Sequence, residues 1–166
     1  LHRGGALPPQ RAAEIVRQTA EALAVAHDMG IVHRDLKPDN IMIARARDGG
    51  DLVKVVDFGI AKAANIEAQK VTRTGLVVGT PEYMSPEQIA GDPLDGRSDI
   101  YGLAVSLFVL LTGQQPLKRS NASDTARAVV EEGLPSLKSL RRDVPKVLVR
   151  TIEAATASEP DDRPPN

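Results

Sequence analysis

The sequence predicts a mainly α-helical domain that carries one small β-hairpin. Three observations lead there. Ala12, Ile15, Val16, Thr19, Leu23 and Ala26 recur at three- and four-residue steps between Pro8 and Met29. Apolar side chains fill almost every position from Ile100 to Leu111. Two short runs rich in β-branched residues flank a turn containing Asp48-Gly49-Gly50. With 166 residues and 42% apolar content, the chain has the size of one globular domain or a large piece of one.

The elements follow in order. Pro8 and Pro9 suit the first turn of a helix running to Met29, and Gly30 stands where a glycine ends one. Ile31-Val32 is expected as a short strand. Ile41 to Ala44 and Leu52 to Val56 are expected as the two hairpin strands. A helix from Ser98 to Leu111 is capped by Ser98, has Asp99 in its first turn and is followed by Gly113; apolar on nearly every face, it should be buried. Ser123 to Glu132 and Val144 to Ala157 complete the helices, the second with Pro145 in its first turn. From Ala61 to Val78 there is no sustained period, which predicts an exposed loop.

Composition excludes several classes. A net charge of −1 offers no basic face for nucleic acid. The chain has no cysteine, which rules out a disulfide framework and thiolate metal sites and fits a cytoplasmic protein. The Ile100–Leu111 run, at twelve residues, is too short for a membrane span, which needs about 20. Leu1 to Gly5 lacks the apolar core of a signal peptide, and a start at leucine suggests a processed chain or a fragment.

Chemistry concentrates in His33-Arg34-Asp35-Leu36-Lys37-Pro38-Asp39-Asn40, which packs two carboxylates, two cations and an amide between apolar runs. Such density has no packing rationale and points to a charged ligand. The hairpin puts Asn40 at the start of one strand and Asp57 at the end of its partner. Two hard oxygen donors can therefore converge at one end and suit Mg²⁺ beside phosphate oxygens.

The octapeptide resembles the catalytic loop of protein kinases, H-R-D-L-x-x-x-N, with every defining position filled. Asp57-Phe58-Gly59, directly after a strand and 22 residues beyond Asp35, matches the family's second signature. Gly79-Thr80-Pro81-Glu82-Tyr83-Met84-Ser85-Pro86-Glu87 resembles the segment that closes the activation loop, with Ser-Pro-Glu for Ala-Pro-Glu. Three motifs in order cover nearly the whole chain. They identify it by resemblance as the C-terminal lobe of a bacterial-type serine/threonine kinase catalytic domain, partial, spanning 1–166 and beginning just before the helix that precedes the catalytic loop.

The resemblance implies ATP-dependent phosphoryl transfer to a protein Ser or Thr hydroxyl. Asp35 would accept the hydroxyl proton and Lys37 would steady the moving phosphate as a point charge. Asn40 and Asp57 would hold Mg²⁺, and Phe58 would pack to set the active arrangement. Ile41, Met42 and Ile43 would floor the adenine site, and Thr80 would shape the site for an aliphatic hydroxyl. Thr72 and Thr74 stand where activation-loop phosphorylation is usual, and Arg34 is the natural guanidinium for the added phosphate. By the same resemblance His33 and Asp99 would have structural roles, with Asp99 holding the backbone around His33-Arg34-Asp35, and Glu87 and Arg163 would form a buried ion pair. The family often has an acidic residue where Val109 stands.

The small lobe of the family should precede such a chain. No G-x-G-x-x-G occurs in these 166 residues and no lysine before Lys37, so the phosphate-anchoring lysine has no candidate here. The chain on its own is therefore expected to be inactive and to need that lobe in cis. Two other readings stand beside this one: a non-catalytic interaction module built on the same lobe, and a metal-dependent phosphohydrolase using His27-Asp28, His33 and Asp57.

Overall fold

In a computed structural model of the chain, structure is described for residues 5–47, 49–59 and 79–165. Helix α1 spans Pro9–Asp28, with Pro9 at its first position and Ala12, Ile15, Thr19, Leu23 and Ala26 buried along one stripe. Gly30, at φ +73°, ends it. The Gly30 N–H donates to His27 O and the Ile31 N–H to Ala26 O, both at 2.9 Å, which satisfies two of the last carbonyls in a Schellman arrangement. This spends the amide that a strand at Ile31–Val32 would need. Among the described residues no strand pairs with these two, and they link α1 to the loop in place of the strand the sequence suggested.

The hairpin pairs β1 (Ile41–Arg45) with β2 (Asp51–Val55) in antiparallel register, Ile41 opposite Val55 and Arg45 opposite Asp51. The Val56 N–H donates to Asn40 O at 3.0 Å and carries the ladder one pair further toward the loop. On the other side of β2, the Gln18 side chain of α1 donates to Asp51 O and accepts from the Val53 N–H, each at 3.0 Å. Arg11 adds an ion pair to Asp51 at 2.7 Å.

In the third described segment, from Gly79, the chain makes helix α2 (Pro86–Ala90), entered through a capping box of Ser85 and Gln88. Helix α3 runs Gly96–Thr112. It begins nearly a turn earlier than its sequence suggested. The reason is Asp95, whose side chain accepts the Arg97 N–H at 2.8 Å and so supplies the cap in place of Ser98. Gly113 at φ +71° closes it. Helices α4 (Ala122–Glu131), α5 (Leu137–Leu140) and α6 (Lys146–Ala155) follow, with Pro145 just before α6 instead of inside it.

Helix α3 is the axis of the fold, as its all-round apolar composition predicts. One of its sides joins α1, the hairpin and α6 in a cluster that includes Ile15, Leu23, Leu36, Ile41, Leu107, Phe108 and Ile152. The other packs on α4 and the Tyr83 turn through Tyr101, Val105, Val109, Leu117 and Val129. Val109 is thus an apolar contact at a position where the family often has an acid. Among the described residues no helix is long and apolar enough to cross a membrane.

Candidate active site

The loop between α1 and β1 is hung from α3 by one carboxylate. Asp99, 2% exposed, accepts the His33 N–H at 2.7 Å on Oδ2 and the Arg34 N–H at 2.8 Å on Oδ1. His27 Nε2 lies 2.9 Å from the same Oδ2, so the end of α1 joins the anchor. A buried carboxylate without such donors would be very costly, and two backbone N–H groups aimed at one carboxylate fix the local chain direction. Arg34 takes φ +65° there, a left-handed conformation unusual for a residue with a Cβ, and its carbonyl accepts Gln88 Nε2 at 2.8 Å.

His33 is fully buried and its hydrogen bonds define its tautomer. Nε2 faces Val56 O at 2.9 Å and must carry the proton, while Nδ1 accepts the Asp35 N–H at 3.3 Å. The imidazole also packs on Phe58 with ring centroids 4.7 Å apart. The Gly59 N–H donates to His33 O at 3.0 Å. Three contacts of His33, to Val56, Phe58 and Gly59, therefore lock residues 56–59 to the loop, and Asp57, at φ +57°, turns out of β2 with its side chain exposed.

At the mouth, Lys37 Nζ lies 3.3 Å from Asp35 Oδ2 and donates to Thr80 Oγ1, also at 3.3 Å. The three side chains that the sequence singled out for the acceptor site meet at this ammonium. The Asp35 and Lys37 side chains are 19% and 20% exposed, so the group is walled yet open to a partner. Asn40, 6% exposed, donates Nδ2 to Asp35 O at 2.8 Å and so ties the loop back on itself. The Asn40–Val56 pairing leaves Asp57 one residue beyond Asn40's cross-strand partner, at the same end of the hairpin.

The three apolar residues after Asn40 do not share a face. Ile41 is 1% exposed and turns into the core, Ile43 packs against that core, and Met42 is 55% exposed on the opposite side. Strand alternation forces this, so an apolar floor can be offered by Met42 and not by all three. Thr72 and Thr74 lie outside the described residues.

Below the site, Arg163 and Glu87 form a two-armed pair, Nη1 to Oε1 at 2.7 Å and Nη2 to Oε2 at 2.8 Å. Ser98 Oγ donates to the same carboxylate at 2.7 Å. Burial pushes the Glu87 carboxyl up, but the Arg163 and Ser98 hydrogen bonds together outweigh it and leave it below the usual range. Arg163 also donates to the carbonyls of Ala157, Ser158 and Arg97, and its guanidinium lies 5.0 Å from the Tyr101 ring centroid.

Sequence reasoning missed two participants. His27, at the end of α1, bonds Asp99. Gln88 carried a usable signal, because Ser85-x-x-Gln88 is a capping-box spacing.

The family model described as protein kinase domain matches residues 1–163. The chain is similar to serine/threonine-protein kinase pkn3 of Myxococcus xanthus, 43% identical across 99% of this chain and 31% of that protein. It is similar to PknB of Mycolicibacterium smegmatis, 39% identical across 98% of this chain and 25% of that one. The chain thus spans about a quarter to a third of the length of these relatives. Among solved structures, Rad53 1-466 in complex with AMP-PNP superposes with a TM-score of 0.76 at 28% identity, over 98% of this chain and 39% of that one.

Proposed function

The chain belongs to the protein kinase family, and on that premise we propose that it is the C-terminal lobe of a serine/threonine kinase catalytic domain, transferring a phosphoryl group to protein Ser or Thr hydroxyls. The observation that carries the reading is the meeting of Asp35, Lys37 and Thr80 on a loop held by Asp99. Kinases of this family generally use ATP and Mg²⁺. The donor set here fits them: a carboxylate at Asp57 and an amide at Asn40 are hard oxygen donors at one hairpin end, too few to cage a cation alone but suited to one that phosphates also ligate. When bound, ATP with Mg²⁺ supplies the phosphoryl group and neutralises its charge.

The chain's own residues do the remaining work. Asp35 orients the acceptor hydroxyl and takes its proton, a contribution of about 10²–10⁴-fold in rate. Lys37 holds Asp35 in place and presents positive charge to the moving phosphate. Thr80, sharing that ammonium, borders the space for an aliphatic hydroxyl. Met42 offers its exposed thioether face to the adenine ring, and a small lobe in cis would close over it. Arg34 would pair with phosphate on Thr72 or Thr74. A cytoplasmic location is part of the same proposal.

Asp35→Asn in the full-length protein tests it. Transfer should fall by at least about 10²-fold with the thermal midpoint unchanged, and substantial retained activity would refute the assignment. Mg-ATP binding by the 166-residue chain alone separates a half-site from a non-catalytic module, because some affinity is expected from Asn40, Asp57 and Met42. The phosphohydrolase reading loses its ligands: both ring nitrogens of His33 are engaged within the fold, and His27 Nε2 is engaged by Asp99.

A further inference from the structure

We infer that Gln115 is a positioning residue for the acceptor side of phosphoryl transfer: its amide holds the buried Tyr83 hydroxyl and, through it, the turn that carries Thr80. The inference rests on the kinase reading. Tyr83 is 6% exposed, ends the turn Pro81–Tyr83 and belongs to the apolar cluster of Tyr101, Val105, Val109, Leu117 and Val129. A phenol hydroxyl taken into such surroundings needs a hydrogen-bond partner, and stranding it costs more than never having it. At Val109, where the family often has an acid, α3 offers that cluster only methyl groups. Gln115 supplies the partner instead. Its Nε2 donates to Tyr83 Oη at 3.2 Å, and among the described residues no other hydrogen bond reaches this oxygen. Burial pushes the Tyr83 hydroxyl up and the Gln115 amide acts against it, so the group stays a neutral phenol.

Both ends of this bond are fixed. Gln115 follows the Gly113 cap of α3, where the Gln114 N–H donates to Thr112 Oγ1 at 3.1 Å. Two residues beyond Gln115, Leu117 is 2% exposed in the same cluster as Tyr83. On the other side, the Tyr83 N–H donates to Thr80 O at 3.2 Å and closes the turn, which sets the phenol and Thr80 together. Thr80 Oγ1 accepts from Lys37 Nζ at 3.3 Å, and that ammonium lies 3.3 Å from Asp35 Oδ2. Thr80 is therefore held from two directions, by the Asp35 loop through Lys37 and by the link between α3 and α4 through Tyr83 and Gln115.

The test compares three variants of the full-length protein, assayed in the cold per mole of folded enzyme. Gln115→Leu fills nearly the same space and strands the Tyr83 hydroxyl, which weighs about five- to 150-fold where water is fully shut out. Gln115 is half-buried, so the low end applies: kcat/KM for a serine peptide should fall about five- to twentyfold, with KM for ATP unchanged. Gln115→Glu can accept from the same hydroxyl and should recover most of that loss. Adding Tyr83→Phe to Gln115→Leu removes the stranded group and should also restore most of it, since exchanging both partners for apolar groups is nearly neutral. Backbone amide resonances of Thr80, Glu82 and Tyr83 should shift in Q115L and return in Q115E, with those of α6 unmoved. Wild-type kcat/KM in Q115L, unmoved resonances, or a Q115E or double variant no better than Q115L would each overturn the inference. A Q115L chain unfolded even in the cold would overturn it too, because a positioning role leaves the fold intact. If wild type itself transfers no phosphate, the kinase reading fails instead, and the resonance shifts still decide whether Gln115 holds the turn.

Discussion

Replacing Arg163 by alanine should be the most damaging change to the fold outside its apolar core. The guanidinium is fully buried and Glu87 is 6% exposed, so the variant strands a carboxylate with no cation in reach of water. Breaking a buried pair from one side typically costs about 3–5 kcal/mol. The carbonyls of Ala157, Ser158 and Arg97 also lose a donor, at up to about 1 kcal/mol each where water cannot replace it. R163A should therefore lose about 4–6 kcal/mol, comparable to the whole stability of many domains. Arg163→Lys keeps the charge but not the fork, and should lose about half as much.

Removing both partners tests the mechanism rather than the magnitude. E87M with R163M leaves no stranded charge and should come within about 2 kcal/mol of wild type, far from the sum of the single changes. Urea unfolding of the three variants reads this directly. The pH profile adds a sign. The folded-state value of Glu87 is depressed, so its contribution is complete above the unfolded carboxylate range near pH 4.3 and is lost as pH falls through the folded value. The double variant should lack that acid-induced loss. A cost below about 1 kcal/mol for R163A, or additive single changes, would refute the reasoning.

Other consequences can be measured in the same protein. Asp99→Ala leaves the N–H groups of His33 and Arg34 without their acceptor and should cost about 3–5 kcal/mol by urea unfolding, with activity lost even in folded molecules. Lys37→Ala should lower kcat by about 10²–10³-fold with the thermal midpoint within a few degrees of wild type, because its side chain is partly exposed. Thr80→Ser keeps the hydroxyl that Lys37 bonds and should retain most activity, whereas Thr80→Val should not; steady-state assays with a serine peptide distinguish them. Gly113→Ala forces a Cβ into φ +71° with Ala6 N only 3.3 Å away, and should cost about 1–2 kcal/mol by thermal unfolding.

Much of the fold was legible because its signals are local. The α1 stripe, the hairpin around Gly49-Gly50 and the all-apolar α3 are periodicities that tertiary packing had no reason to override. The start of α3 was misread because Ser98 and Asp95 are both good caps, and only the path of the chain decides between them. Ile31–Val32 has strand composition but pairs with no strand among the described residues, which sequence cannot reveal. For the candidate site, motif spacing singled out Asp35, Lys37, Asn40, Asp57 and Thr80. It could not show that Ile41 turns inward while Met42 turns out, nor that His27 reaches Asp99 across 72 residues of sequence.

The two bonds from Gln18 to β2 have a consequence of another kind. A two-stranded ribbon has two open margins, and each is a template on which a foreign strand can dock. Gln18 occupies the margin of β2 by copying what a third strand would offer, one donor to Asp51 O and one acceptor for the Val53 N–H. A single helical side chain thus closes the β2 margin of the hairpin, the strand that leads to Asp57, to a foreign strand once α1 is docked.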